Sequence, residues 1–258
     1  MHIVVGTRST PDTAARLEVA PDGRVSWGDA PLVINPWDEY AVEEALLRAK
    51  AGNGIVTVIA LGPEEHNEAL KYALAMGADR AIRLWDDAWS GLDSRGYAAA
   101  FAAAVRRLGD VDLVIFGKEA ADEASDVHIF QTARALGWTL LSAVAHIEAL
   151  DSSVIRVEQS LEEGRQIASG PLPAVISVLR GINEPRYPSF IGIRKAARAE
   201  IPVWDTAALG VSLPAPASQV SSFRLPPARE GACEIIGGDT VEAQVAALVE
   251  KLLAEKVI

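Results

Sequence analysis

The residues with most to offer chemically stand at the ends of apolar runs. Gly6, Thr7 and Arg8 follow Ile3-Val4-Val5, and Leu61 and Gly62 follow the run 56–60. Asn35, Pro36 and Trp37 open a helical pattern, and residues 117–128 form a loop after Leu113-Val114-Ile115-Phe116. In an open α/β sheet these positions lie outside the carboxyl ends of the strands, where ligands bind. A small residue such as Gly6 allows close approach to backbone, and loop amides with a helix N-terminus suit phosphate oxygens. The chemistry to expect is binding of an adenine nucleotide. The loop that would meet the phosphates contains Gly117, Lys118, Ala120 and His128, but also Glu119, Asp122, Glu123 and Asp126. Carboxylates repel phosphate unless a cation intervenes. Arg8 is either that cation or one half of a surface ion pair, and His128 is either a donor or a packed loop residue.

Nothing accompanies these residues that would break or form covalent bonds. The sequence has no nucleophile elbow, no P-loop and no metal-ligand spacing. After the first strand it reads Val5-Gly6-Thr7-Arg8-Ser9-Thr10, which is neither Gly-x-Gly-x-x-Gly nor the Ser-Gly-Gly-x-Asp-Ser run of ATP pyrophosphatases. The expectation is a binding or carrier role without covalent catalysis of its own.

Composition narrows the partners. A formal net charge of −11 counts against nucleic acid, whose phosphates need a basic footprint. One cysteine, Cys233, leaves no intrachain disulfide and no cysteine cluster, and the histidines at 2, 66, 128 and 146 lack ligand spacing. No apolar run reaches the ~18 residues that would insert into a membrane. The first strand begins at His2 with no basic segment and long apolar stretch, so a cytoplasmic protein is expected.

The elements that position these groups are legible as alternating patterns. Asn35-Pro36-Trp37-Asp38-Glu39 reads as N-cap, first-turn proline and first-turn acids, followed by Val42, Ala45, Leu46 and Ala49 at helical spacing. Pro21-Asp22-Gly23 between two short β-type runs is a hairpin signal, and residues 7–15 read as a loop. Strand and helix alternate to about residue 137, which implies right-handed βαβ units. Three runs between 141 and 168 then read as strands with short connections. The fold class expected is α/β: a doubly wound, mostly parallel sheet of the adenine-nucleotide-binding type, with added strands. Two regions follow: residues 1–198 as the core, and 199–258 as an extended, proline-punctuated arm ending in a helix. That helix carries Val241, Val245, Leu248, Val249 and Leu252 on one stripe, suited to docking on a partner subunit or back on its own domain.

A second feature follows the buried strand Ala174-Val175-Ile176-Ser177-Val178. The chain breaks into Asn183-Glu184-Pro185-Arg186-Tyr187-Pro188-Ser189-Phe190, where the prolines rule out a continued central strand. This predicts a stiff loop projecting from a sheet edge and tipped by Phe190 and Ile191, suited to partner contact. The plainer reading is a structural turn with Arg186 paired to Glu184.

Residues 179–196, Leu-Arg-Gly-Ile-Asn-Glu-Pro-Arg-Tyr-Pro-Ser-Phe-Ile-Gly-Ile-Arg-Lys-Ala, closely resemble the signature of the β subunit of electron-transfer flavoproteins. The resemblance extends over most of the chain. It includes Pro-Asp-Thr-Ala-Ala (11–15), Val-Ile-Asn-Pro-Trp-Asp-Glu-Tyr-Ala-Val-Glu-Glu-Ala-Leu (33–46), Ala-Leu-Ala-Met-Gly-Ala-Asp-Arg-Ala (73–81) and Gly-Lys-Glu-Ala-Ala-Asp (117–122). It implies a heterodimer in which an α subunit holds most of an FAD and this chain forms a shelf beneath it. Flavin dehydrogenases would dock on a recognition loop made here by Arg186, Tyr187, Phe190, Ile191, Ile193 and Lys195, with Phe190 where the family places an anchoring leucine. Electrons would pass on to a quinone reductase or another acceptor.

The resemblance also implies AMP in the cleft, or a second FAD as in the electron-bifurcating branch. Carried over position by position, its lining would be Gly6, Asn35, Pro36, Trp37, Asp38, Leu61 and residues 117–128, among them Gly117, Lys118, Ala120, Asp122, Asp126 and His128. The family's phosphate loop ends Asn/Asp-x-Thr-Gly-Gln, whereas this chain has Asp126-Val127-His128-Ile129-Phe130. The loss of the hydroxyl and the glycine counts against AMP and more strongly against a second FAD. The alternative to an electron-transfer subunit is a stand-alone adenine-nucleotide-binding module of the universal-stress type, which would be a colourless homodimer.

Overall fold

A computed structural model describes residues 1–227 and 233–257. The chain divides into one unit over Met1–Ser222 and another over Phe223–Ile258.

The first unit begins with β1 (His2–Thr7), buried along its whole length, and β2 (Ser9–Pro11). The hairpin signal at Pro21-Asp22-Gly23 is realised as β3 (Glu18–Val19) and β4 (Val25–Ser26). Next, β5 (Leu32–Ile34) returns antiparallel to β2, pairing Ser9 with Ile34 and Pro11 with Leu32. Part of the stretch expected as a loop is thus a strand, short enough that its partner rather than its own pattern defines it. Then come α1 (Pro36–Ala51), β6 (Ile55–Leu61), α2 (Asn67–Met76), β7 (Arg80–Leu84), α3 (Ser94–Leu108), β8 (Leu113–Gly117) and α4 (Val127–Leu136). An antiparallel excursion follows in β9 (Thr139–Leu150), β10 (Val154–Leu161) and β11 (Gly164–Pro171). The unit closes with β12 (Ala174–Val178), α5 (Phe190–Ala196), β13 (Val203–Trp204) and α6 (Thr206–Leu209).

The nine-stranded sheet has the order β11-β10-β9-β12-β8-β1-β6-β7-β13 and is parallel from β9 to β13. Alternation along each strand divides the core into two layers. Ile3, Val5, Leu113 and Ile115 face α1 and α2, while Val4, Val114 and Phe116 face α3 and α4. The chain runs outward from β1 through β6 to β7, then returns to place β8 on the other side of β1. That reversal between β1 and β8 is the switch point at which a doubly wound sheet opens a cleft. No helix among the described residues is long and apolar enough to cross a membrane.

Two expectations are corrected. First, β12 is not a sheet edge: it lies between β9 and β8, with all five residues buried. A run of apolar residues records burial but not which strands flank it. Second, residues 199–222, read from their prolines as part of the arm, belong to the first unit. Here β13 pairs with β7, Trp204 with Leu84, and Trp204, Leu209 and Leu213 pack on the α3–α4 layer. Pro202 is tolerated beside this edge strand because only its carbonyl is used, accepting from Arg83 N at 3.0 Å.

The chain after β12 is tied to α1. Glu43, 4% exposed, receives Arg186 in a fork, Nε donating to Oε2 at 2.7 Å and Nη2 to Oε1 at 2.8 Å. The neighbouring Glu44, 1% exposed, accepts from Asn183 Nδ2 at 3.0 Å and Arg48 Nε at 2.7 Å. Arg186 therefore pairs with Glu43 rather than with Glu184. Instead of an open loop tip, Phe190 starts α5, capped by Ser189, whose Oγ accepts from Gly192 N at 3.0 Å. Gly192 lets α5 sit directly on α2: a Cβ there would lie 2.3 Å from the Ala75 carbonyl oxygen.

In the second unit, α7 (Val241–Ala254) starts at Thr240, whose Oγ1 accepts from Ala243 N at 3.2 Å. Of the stripe read from spacing, Val241, Val245, Leu248 and Val249 are exposed and Leu252 is half-buried.

Glu43→Gln keeps the shape of the side chain but leaves the forked guanidinium facing a neutral amide. The expected outcome is a loss of about 1–2 kcal/mol in stability, read as a lower urea midpoint with an unchanged slope.

Candidate functional site

At the switch point the carboxyl ends of β1 and β8 enclose a cavity of about 250 Å³. Of the residues read from sequence, Gly6, Asn35, Asp38, Leu61, Gly117, Ala120 and His128 line it. Pro36, Trp37, Lys118, Asp122 and Asp126 stand outside the wall. Lys118 lies over the Trp37 ring, its Nζ 5.2 Å from the centroid, and also meets Glu119 at 3.4 Å. Asp126 occupies the N-cap position of α4 without a side-chain cap bond.

The small residues have a structural reason different from the one expected. A Cβ on Gly6 would lie 2.1 Å from the Phe116 ring, so the glycine admits an aromatic side chain of the chain itself. A Cβ on Gly117 would lie 2.5 Å from Asp38 Oδ1 and 2.6 Å from the Trp37 carbonyl carbon, so that glycine seats the start of α1 against β8.

Asn35 does not cap α1 with its side chain. Its Nδ2 donates to the Glu119 carbonyl at 2.9 Å and its Oδ1 accepts from Ala121 N at 3.1 Å. The amide thus satisfies both directions of a backbone strand and pins the loop after β8. A bridge between Ala120 and Ser125 closes that loop on itself. Arg8 completes the closure, its two terminal nitrogens each 3.3 Å from a carboxylate oxygen of Asp122 or Glu123.

Electrostatics follow from burial. Asp38 accepts from Arg8 N at 3.1 Å, yet burial pushes its carboxyl up to about 7. Burial and the Arg8 charge push His66 and His128 down to about 4, so both rings are neutral at pH 7. His66 Nδ1 accepts from Ser9 N at 2.9 Å, which places its proton on Nε2. His128 both packs and lines the cavity, edge-on to Tyr97 at 4.8 Å and to Phe116 at 5.5 Å between ring centres. Burial raises the Tyr97 phenol. Sequence reading missed His66, Tyr97 and Phe116 as lining residues. They sit inside regular or apolar patterns, and only the packing of α3 and the turn before α2 turns them inward.

The second candidate surface is the recognition segment. Tyr187 is 92% exposed, Phe190 74% and Ile191 80%, and Ile193 and Lys195 are exposed beside them. Arg186 is exposed as well, but its guanidinium is held by Glu43.

The raised Asp38 carboxyl makes stability depend on pH. Its folded pKa lies above the unfolded value, so its favourable contribution is present at low pH and is lost as pH rises through about 7. Asp38→Asn removes that dependence. Melting temperatures of the two proteins are expected to diverge in the variant's favour between about pH 4 and pH 7 and to keep that gap above pH 7, and a difference that stays constant from pH 4 to pH 7 would contradict the assignment.

Comparison with known proteins places the chain in a family. The family model described as "Electron transfer flavoprotein domain" matches residues 28–209. The chain is 33% identical to the caffeyl-CoA reductase-Etf complex subunit CarD of Acetobacterium woodii, with 100% of both chains covered. It is 31% identical to the electron transfer flavoprotein subunit beta of Megasphaera elsdenii, again over 100% of each. Protein FixA of Azotobacter vinelandii is 35% identical over 82% of this chain and 77% of its own. With that domain spanning α1 to α6 and β-subunit relatives aligned from end to end, the chain belongs to the electron transfer flavoprotein family and is a β-subunit member of it.

Proposed function

We propose that this chain is the β subunit of a heterodimeric electron-transfer flavoprotein in the cytoplasm, paired with an α subunit that holds most of an FAD. Flavin dehydrogenases deliver electrons to that flavin by docking on the segment around α5, and a quinone reductase or another acceptor removes them. The carrying observation is an exposed apolar tip on an immobilised base. Phe190, Ile191 and Tyr187 face solvent. The chain beneath them is held by Glu43, Glu44 and the close contact of Gly192 with Ala75. Large exposed apolar side chains in one patch mark a protein contact, and a preorganised patch loses less entropy on binding. Bound FAD supplies the reversible electron storage, while this chain positions the complex. The apolar stripe of α7 supplies a matching surface for the α subunit, as amphipathic helices do when they lie in a groove. The A. woodii relative is a subunit of a reductase-Etf complex, which supports assembly with further chains.

Tagged protein isolated from its own cells is expected to bring down a second polypeptide, with one FAD per pair. A single colourless chain or homodimer would overturn the reading and favour a stand-alone nucleotide-binding module. Within the pair, Phe190→Ala is expected to lower kcat/KM with the cognate dehydrogenase about tenfold, in the range of a buried aromatic contact, with flavin content and pairing unchanged.

A further inference from the structure

We infer that Asp93 is a clasp: by holding Ala217 beside the start of α3, it fixes how much chain is free to join the first unit to the second. The inference does not rest on the electron-transfer role, because it concerns only contacts within the first unit.

The stretch 203–218 is held in two different ways. Its first part has many supports. Here β13 pairs with β7, and Trp85 N donates to the Trp204 carbonyl at 3.2 Å. The Arg107 guanidinium lies 5.0 Å from the centre of the Trp204 ring and donates to the Ala208 carbonyl. Asp86 Oδ2 accepts from Thr206 N at 3.2 Å. Leu209 and Leu213 pack on the α3–α4 layer. Beyond Leu213 the supports thin out. Pro214 and Pro216 have no amide to donate, and Ala215 and Ala217 are exposed. What remains is one carboxylate: Asp93 Oδ2 accepts from Ala217 N at 2.7 Å, and the Ser218 amide bears on the same group. Residues 219–222 are exposed and have no hydrogen-bond partner among the described residues, and the second unit begins at Phe223.

Asp93 is not free to swing away from Ala217. It is the N-cap of α3, its Oδ1 accepting from Arg95 N at 3.1 Å and Gly96 N at 3.0 Å. Its carbonyl accepts from Tyr97 N at 3.0 Å. Just ahead of it, Leu92 is seated against Gly96, where a Cβ would lie 2.4 Å from Leu92 Cδ2. With Oδ1 spent on the helix, Oδ2 is left for the distant segment. The bonds from Gly96 and Ala217 hold the carboxyl below its usual range, so it is ionised at neutral pH. An ionised acceptor makes a stronger hydrogen bond than a neutral one. Asp93 also lines the cleft, so the free chain starts from the cleft's rim.

The consequence is a length. An extended chain spans at most about 20 Å from Ala217 to Phe223, but about 35 Å from Leu213. A longer flexible tether lowers the effective concentration of one tethered part at the other. Asp93 therefore keeps the tether short.

The test is amide hydrogen exchange on the full-length protein, with any chain that co-purifies left in place. The Ala217 amide is expected to exchange at least about tenfold slower than an unstructured chain of the same sequence, in the range of a hydrogen bond to a charged group. Asp93→Asn keeps an oxygen for the α3 cap but turns an amide group towards Ala217 N. It is expected to abolish protection at Ala217 and Ser218, while Gly210, which donates to the Thr206 carbonyl at 2.9 Å, and Tyr97 keep theirs. If that variant fails to fold, Asp93→Ser, which also caps a helix, takes its place with the same expected result. Asp86→Asn is the control and is expected to speed exchange at Thr206 but not at Ala217. An unprotected Ala217 in the unaltered protein, protection that survives in the Asp93 variants, or release of Ala217 by Asp86→Asn would overturn the inference. None of these outcomes bears on whether the chain pairs with a flavin-bearing subunit.

Discussion

Two adjacent buried carboxylates, Glu43 and Glu44 in the middle of α1, fix the course of the chain after β12. Neighbouring residues on a helix point in different directions, so each takes its own partners: Arg186 for one, Asn183 and Arg48 for the other. A buried carboxylate without a partner is strongly destabilising, which makes these contacts a requirement rather than an ornament. Their consequence is geometric. They deliver the chain to Ser189, which caps α5, and Gly192 then lets α5 rest on α2. Only with that base in place do Phe190 and Ile191 project into solvent in one orientation.

The same helix organises the cleft. Asn35, at the start of α1, spends both ends of its amide on the loop after β8, and Asp38, one turn on, accepts from the backbone of Arg8. The helix therefore bears on two places of different character, an acidic cavity at its N-terminus and, through Glu43 and Glu44, the segment that leads to the exposed apolar tip. Aromatic rings fill part of the space over Gly6, and an internal ion pair closes the rim.

Much of this was readable from residue types. Alternating apolar runs and helix starts marked β1, β6, β8, α1 and α7, because these elements bury one face or stripe and the period records it. The resemblance around residues 179–196 marked the recognition segment. Other features were not readable. Arg186 was expected beside Glu184, its near neighbour, but its partner comes from α1, far away in sequence. Asn35 carries a helix-cap signal, yet a loop more than eighty residues later takes its side chain. The prolines of residues 199–222 looked like a detached arm because proline content reports lost donors, not lost contacts.

The sequence by itself determined the alternating strands and helices from β1 to α4, that the sheet is doubly wound, and which apolar side chains are left on one side of α7. Those properties depend on spacing within a few residues. Tertiary structure alone decided that β12 is interior, that Arg8 is already engaged by Asp122 and Glu123, and that Asn35 spends its amide on the loop after β8. Each of these depends on which distant groups meet at the switch point between β1 and β8, and a polar side chain carries no record in its local sequence of the partner that will satisfy it.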